Sequence, residues 1–233
     1  MRVVLAIFLV GGLVIALALA VGGAHHPQTT PARMDAARST AAPTPTPEPP
    51  CEPGSGPEEV GAVPADVQER VDRAWERIEK WLDATVPSQV VWNPPAADAA
   101  IARAQRAAGH AFPPDLVASL RRHDGVRAAA FTFPPYFVPM STGEIAADAG
   151  KLCAADNGWD GRGIPFARDN GGWYLYIDPV SGVHEHAPGG TAGTRDASLA
   201  ALLERTADVL EGRRTDVYLP VVGADGELGW RLR

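Results

Sequence analysis

A chain of 233 residues with a formal net charge of -7 can hold one ordinary domain or two small ones. The acidic balance argues against a nucleic-acid backbone as partner, because phosphate contacts need clustered Lys and Arg. Its two cysteines, Cys51 and Cys153, lie outside any C-x-x-C pair, so neither a zinc site nor a thioredoxin-like motif is supported. They leave two readings open: two free thiols, or one disulfide in an oxidising compartment.

Residues 3–22 contain no charged or strongly polar side chain. About 20 apolar residues in a helix cross a hydrocarbon core of about 30 Å, whereas a cleaved signal peptide has an apolar run of about 7–15 residues. Residues 1–24 are therefore read as an uncleaved signal anchor, with a cleaved signal peptide and a secreted product as the alternative. Small residues at Ala18 and Ala20, or at Gly22 and Ala24, would suit a signal peptidase. Arg2 precedes the span, while Arg33 and Arg38 follow well after it. The positive-inside rule then gives a single-pass protein with an exported C-terminal domain. Residues 25–63 are rich in Pro and Thr, with Thr44-Pro45-Thr46-Pro47-Glu48-Pro49-Pro50 unable to form a helix or central strand. They read as a disordered, semi-extended tether, leaving residues 64–233 as one globular domain.

Within that domain Asp66 is the expected N-cap of a first helix whose apolar stripe is Val67, Val71, Trp75, Ile78 and Leu82. A second helix is expected from Pro94-Pro95 to about Ala108, stopped by Gly109, and a third after Pro113-Pro114, ending at His123-Asp124-Gly125 with Gly125 as a left-handed cap. Phe131, Phe133, Tyr136 and Phe137, broken by Pro134-Pro135, read as an irregular edge strand or loop. Ser141 and Glu144 form a capping box for a short helix. A glycine-rich loop, 157–163, leads to strands at 164–167 and 173–177 joined by Asp169-Asn170-Gly171-Gly172, then a third at 183–187. Gly189–Arg195 reads as a flexible helix entry, and Asp196 as the cap of a helix carrying Leu199, Leu202, Leu203, Ala207 and Leu210 up to Gly212. A terminal hairpin pairs 217–222 with 228–232. Helices, then strands, then a helix, then strands is an α+β order, with N-terminal helices packed on a mixed or antiparallel sheet.

Four segments carry a resemblance: Trp75-x-x-Ile78-Glu79-x-Trp81-Leu82; Pro94-Pro95-Ala96 with Ile101, Gly109, Phe112-Pro113 and His123-Asp124-Gly125; Ile164-Pro165-Phe166-Ala167-x-Asp169 with Gly171-Gly172 and Leu175-Tyr176-Ile177-Asp178; and the Leu199–Leu210 helix. In order and spacing they resemble the SUKH superfamily, which includes the fungal cell-wall-assembly regulator and many bacterial immunity proteins. The resemblance implies no shared active site. Two features depart from the family pattern. Gln105 stands where the family often has glutamate, and the N-terminal anchor is foreign to members that are commonly soluble and cytoplasmic.

No catalytic motif emerges, and no cofactor or metal is expected. His184 and His186 share a strand face by alternation, but a zinc site would need a third ligand such as His123 or Asp178. Asp169 and Asp178 sit in turns, where Asp commonly binds its own backbone. A calcium loop starting at Asp156 fails at Gly158 and at Ala167 in the twelfth position. The Gly189–Arg195 run lacks the lysine and spacing of a P-loop. A hydrolase would require His123, Asp124 and Asp178 to converge. The leading function is a membrane-anchored protein-binding module, with a toxin domain as a candidate partner; a structural or regulatory cell-envelope protein is the alternative and a hydrolase the second. The expected binding surface is Phe131, Phe133, Tyr136 and Phe137 together with Trp159, Asp160 and Arg162 of the polar loop, an anchor-and-rim arrangement.

Overall fold

The computed structural model describes residues 53–86, 90–127, 131–154 and 158–233, which fall within one compact unit, Thr46–Arg233. The anchor over 3–22, most of the tether, Cys51, Asp156 and Asn157 lie outside the described residues. Among the described residues no helix is long and apolar enough to cross a membrane.

Among the described residues five helices accompany two antiparallel sheets: α1 (Ala65–Thr85), α2 (Asp98–Ala108), α3 (Pro114–Arg122), α4 (Thr142–Ala154) and α5 (Leu199–Leu210). The first sheet has the order β1-β2-β3-β4-β5, a meander of Val138–Pro139, Ile164–Arg168, Tyr174–Asp178, Gly182–Ala187 and Gly190–Asp196. The second is the terminal hairpin of β6 (Tyr218–Val222) and β7 (Leu228–Leu232). The fold is α+β, and every strand pair described is antiparallel.

The apolar periods account for the packing. Val71, Ala74, Trp75, Ile78 and Leu82 form the buried stripe of α1, and Leu199, Leu202, Leu203, Val209 and Leu210 that of α5. The two helices pack against each other, and Arg77 of α1 grips Asp208 of α5 and its C-cap residue Glu211 at 2.5 Å each. Three expected caps are corrected. α1 starts at Ala65 after Pro64, so Asp66 sits inside the first turn, where its charge faces the positive helix end. α2 starts at Asp98, because Pro94-Pro95-Ala96 stays outside the helix and bonds to the end of α3: Ala96 N donates to Leu120 O (2.9 Å), and Pro94 O accepts from Asp124 N (3.4 Å). α5 is capped by Ser198, whose Oγ accepts from Ala201 N (3.1 Å).

The stop of α3 orders much else. His123 is extended and closes the helix. Asp124 accepts from Thr142 N (2.6 Å) and Thr142 Oγ1 (3.0 Å), fixing the start of α4. Gly125 has φ +73, and a Cβ there would stand 2.6 Å from Ser141 N and 2.7 Å from Met140 C. Its role is close backbone approach rather than the helix cap expected. The Ser141–Glu144 capping box completes the junction: Ser141 N donates to Glu144 Oε2 (2.9 Å) and Glu144 N to Ser141 Oγ (3.3 Å). At the first turn of α3, Asp115 Oδ2 accepts from Ala200 N of α5 (3.0 Å), and further along the helix Ser119 Oγ accepts from Trp75 Nε1 of α1 (3.0 Å).

β5 corrects a further expectation. Gly189–Arg195 is no flexible helix entry, since Gly190–Asp196 pairs with β4 along its length. The two register shifts in that pair and its glycines hide the strand from any reading of alternation. Alternation and register elsewhere assign the faces. Leu175, Ile177, Val183 and Glu185 share one face of β3 and β4; Tyr174, Tyr176, His184 and His186 share the other.

Arg122 and His123 also bind Glu79 of α1. Arg122 donates from Nε to Oε1 (2.8 Å) and from Nη2 to Oε2 (2.7 Å), while His123 Nε2 lies 2.6 Å from Oε1. The His123 ring stacks on Trp92 at 4.4 Å. Burial alone would raise the Glu79 carboxyl, but its hydrogen bonds to Arg122 and His123 outweigh burial and hold it at about 2.

Two measurements check this account of the junction. Gly125→Ala should cost about 2–4 kcal/mol and lower Tm by roughly 5–15 °C, because it adds both φ strain and overlap. Gly150→Ala, at an open position inside α4, should instead stabilise by about 0.5–1 kcal/mol. Equal effects from the two would contradict the assignment. The second measurement follows from the depressed Glu79 carboxyl, whose charged form favours the folded state. That contribution is fully present above the ordinary value of 4.5 and drains away as pH falls toward 2. In denaturant melts at pH 7, 4.5 and 3, the stability gap between wild type and Glu79→Gln should therefore narrow on acidification; a constant gap would show that Glu79 is not linked to folding in this way.

Candidate functional site

The expected aromatic surface divides in the structure. Phe131, Phe133 and Phe137 are 0%, 1% and 3% exposed, so reading them as surface anchors is corrected. They belong to the core: Phe131 and Phe133 meet edge to face at 5.4 Å, and Phe131 also packs on Trp75 at 5.7 Å. Reciprocal backbone bonds, Phe133 N to Phe137 O (2.8 Å) and Phe137 N to Phe133 O (3.0 Å), close a tight loop over Pro134-Pro135-Tyr136. With both phenylalanines turned inward, Tyr136 at the tip is left 60% exposed.

The polar loop lies elsewhere. Trp159 sets its ring edge against Tyr176 and His186, each at 5.1 Å, on the sheet face opposite Leu175 and Ile177. Asp160 and Arg162 are exposed and form a pair at 3.5 Å, and Arg162 N donates to Asp160 Oδ1 (3.0 Å). His110 Nε2, 2.6 Å from Gly161 O, ties this loop to the end of α2. The Tyr136 loop instead meets the core face, because Arg195 donates both to Glu185 Oε2 and to Pro134 O at 2.9 Å each. The two halves of the expected surface thus attach to opposite faces of one sheet.

His184 and His186 do share a face, in register with Tyr176 and Tyr174. His184 sits between Ser181 Oγ (2.8 Å) and Thr194 Oγ1 (3.2 Å), while His186 is buried beside Trp159, and burial lowers its pKa. Among the described residues no three His, Cys, Asp or Glu groups are placed to hold a metal ion. Nor do His123, Asp124 and Asp178 act on one another. His123 is bound to Glu79, Asp124 to Thr142, and Asp178 to the backbone N–H groups of Val180 (2.7 Å) and Ser181 (3.1 Å) in its own turn. Asp169 builds a turn in the same way, accepting from Gly171 N and Trp173 N.

Beside Tyr136 the edge strand β5, the Pro134-Pro135 turn and the start of β6 enclose a cleft of about 410 Å³ lined by Pro135, Gly193, Arg195, Arg214, Asp216 and Tyr218. A second hollow of about 470 Å³ adjoins it, sharing Asp216 and Val217 and ending at Leu232 and Arg233. Val217 and Leu232 are exposed apolar side chains on this rim.

The cleft wall is fixed by ion pairs. Arg205 donates to Asp196 Oδ1 (2.9 Å), Asp196 Oδ2 (2.7 Å) and Asp216 Oδ2 (2.6 Å), pinning the end of β5 and the approach to β6 onto α5. Burial opposes the charge on both Arg205 and Asp216, but their pairing prevails, raising the Arg205 pKa and lowering that of Asp216. These charges hold the wall in shape. What remains for a ligand is β5 backbone, the exposed Arg214 and the apolar rim, with the Tyr136 ring exposed beside Pro135, a combination suited to polypeptide. Sequence reasoning found Tyr136 but missed Val217, Leu232 and β5, because their proximity depends on the unread strand.

Residues 95–189 match the SMI1 / KNR4 family (SUKH-1). The matched stretch runs from ahead of α2, through the His123-Asp124-Gly125 junction and α4, to the turn after β4. A comparison with curated proteins finds no match. SUKH proteins include immunity proteins and are generally immunity or regulatory proteins rather than enzymes. The helical junction and the first four strands of the antiparallel meander lie within residues 95–189, the stretch that resembles a SUKH-1 domain.

Proposed function

We propose that this protein is a non-catalytic, membrane-anchored protein-binding module, with recognition of a toxin domain in an immunity-type role as its leading form. The observation that carries the reading is the exposed Tyr136, next in the chain to Pro135 of a cleft edged by Val217, with Leu232 on the adjoining hollow, when its neighbours Phe133 and Phe137 are buried. A large amphipathic ring next to a rigid wall and an open strand edge is the usual make-up of a binding hot spot. The apolar run 3–22 supports the anchor. Export of the domain is supported by Cys153, which is disulfide-bonded, since such bonds persist in oxidising compartments. The Pro- and Thr-rich run between anchor and domain favours the second reading, a structural or regulatory protein of the cell envelope.

The test is capture by the full chain, immobilised and exposed to detergent extract of its own cells. A single stoichiometric polypeptide is expected, with Tyr136→Ala and Val217→Ser together weakening its binding at least about tenfold while Tm stays unchanged. Capture that survives both substitutions would remove this surface from the proposal, and an absence of any stoichiometric partner would favour the envelope role.

A further inference from the structure

Among the described residues β5 pairs with β4 on one side only, and β6 pairs only with β7. Each strand therefore turns one row of backbone N–H and C=O groups outward, a template for a further strand. The cleft of about 410 Å³ lies where the two approach: Gly193, Thr194 and Arg195 of β5 line one side, and Val217 with Tyr218, the first residue of β6, line the other. A Cβ on Gly193 would meet nothing within 4 Å, so the β5 backbone is open to approach there. Register shows which residues of β6 face outward. Arg233 N donates to Val217 O (3.0 Å) and Gly223 N to Glu227 O (2.9 Å), so alternate residues from 217 to 223 bond toward β7. Tyr218, Pro220 and Val222 hold the open edge. Pro220 has no N–H to offer, which blunts that edge beyond the cleft, while Tyr218, on the cleft wall, keeps both groups.

The cations of the cleft are matched except one. Arg195 is bound to Glu185, and Arg205 to Asp196 and Asp216. Arg214 is exposed and forms no ion pair among the described residues. It helps to hold the Asp216 carboxyl low, but that carboxylate is already committed to Arg205 at 2.6 Å. The chain as a whole carries a net charge of -7, so Arg214 selects a carboxylate at short range rather than a polyanion at long range. Resting on the protein-binding reading above, we propose that the cleft takes an extended segment of the partner polypeptide, which adds as a strand to the β5 edge opposite Tyr218 and sets an Asp or Glu side chain against Arg214. In this mode main-chain hydrogen bonds supply affinity and side-chain sites supply selection, and a carboxylate matches the fork of a guanidinium.

Displayed random seven-residue peptides, selected on the full chain immobilised in detergent, provide the test. Retained sequences should carry one Asp or Glu at a fixed position, flanked by β-branched or aromatic residues and free of proline. Arg214→Glu should turn the choice at that position to Lys or Arg with Tm unchanged, and Arg214→Gln should weaken the best acidic peptide about fivefold. Single N-methylations along that peptide should disrupt binding at alternate amides, the period of a strand. Retained peptides with no acidic position, a choice unmoved by Arg214→Glu, or tolerance of methylation throughout would each overturn the inference. If binding in those cases still falls with Val217→Ser, the cleft stands as the binding surface and only its strand-and-carboxylate mode is lost; indifference to both Val217 and Arg214 removes the cleft itself. A selection that retains no peptide overturns this inference alone, since capture of a folded partner is a separate measurement.

Discussion

Three consecutive residues after a nine-residue helix hold the helical half of this domain in register. His123 ends α3 in an extended conformation and lays its ring between Trp92 and Glu79. Asp124 receives the first N–H of α4. Gly125 lets its backbone lie against Met140 and Ser141 at a distance that a side chain would forbid. Together with Asp115 at the start of α5 and Ser119 on Trp75, α3 and its exit touch α1, α4 and α5 through directed polar contacts. Buried polar groups are costly unless paired, so each contact admits one arrangement and penalises slippage. Hydrophobic burial supplies the driving force, while these contacts select which of the apolar stripes meet.

The cleft depends on that frame at one remove. α5 is positioned by Asp115 and by its packing on α1, and α5 carries Arg205, which gathers Asp196 from the end of β5 and Asp216 from the approach to β6. A wall built from mutually compensated charges is rigid but chemically quiet, because each charged form is stabilised by its partner rather than poised to exchange protons. The surface it supports offers the exposed Arg214, an aromatic ring beside it, an aliphatic rim and a strand edge. This is why the geometry favours recognition of a polypeptide over acid–base chemistry, in keeping with a superfamily whose members often bind partner proteins.

Much of the fold was legible in the sequence because its signals are local. The three- and four-residue steps of α1 and α5, the Pro114 start of α3, the Gly109 stop of α2, the Ser141–Glu144 box and the Asp-Gly turns each have a short-range physical cause, and each appears. What escaped was set by distant partners. Phe131 and Phe133 have the spacing of a surface patch, but Trp75 and Phe166 cover them from elements tens of residues away. β5 has almost no side-chain signature, since glycines and two bulges leave backbone pairing to define it. Gln105 looked like a minor departure from a glutamate pattern. It is a buried amide that must donate to Glu59 O and accept from Phe112 N at once, which an ionised carboxylate cannot do.

The central claim is that binding uses the Tyr136 cleft rather than the Trp159 loop, on the opposite sheet face. Amide exchange of the full chain, alone and saturated with its captured partner, tests this most directly. The account predicts new protection over 134–137, 193–196 and 214–218, with 158–163 unchanged. Protection confined to 158–163 and the strands beneath it, with the cleft still exchanging freely, would contradict it.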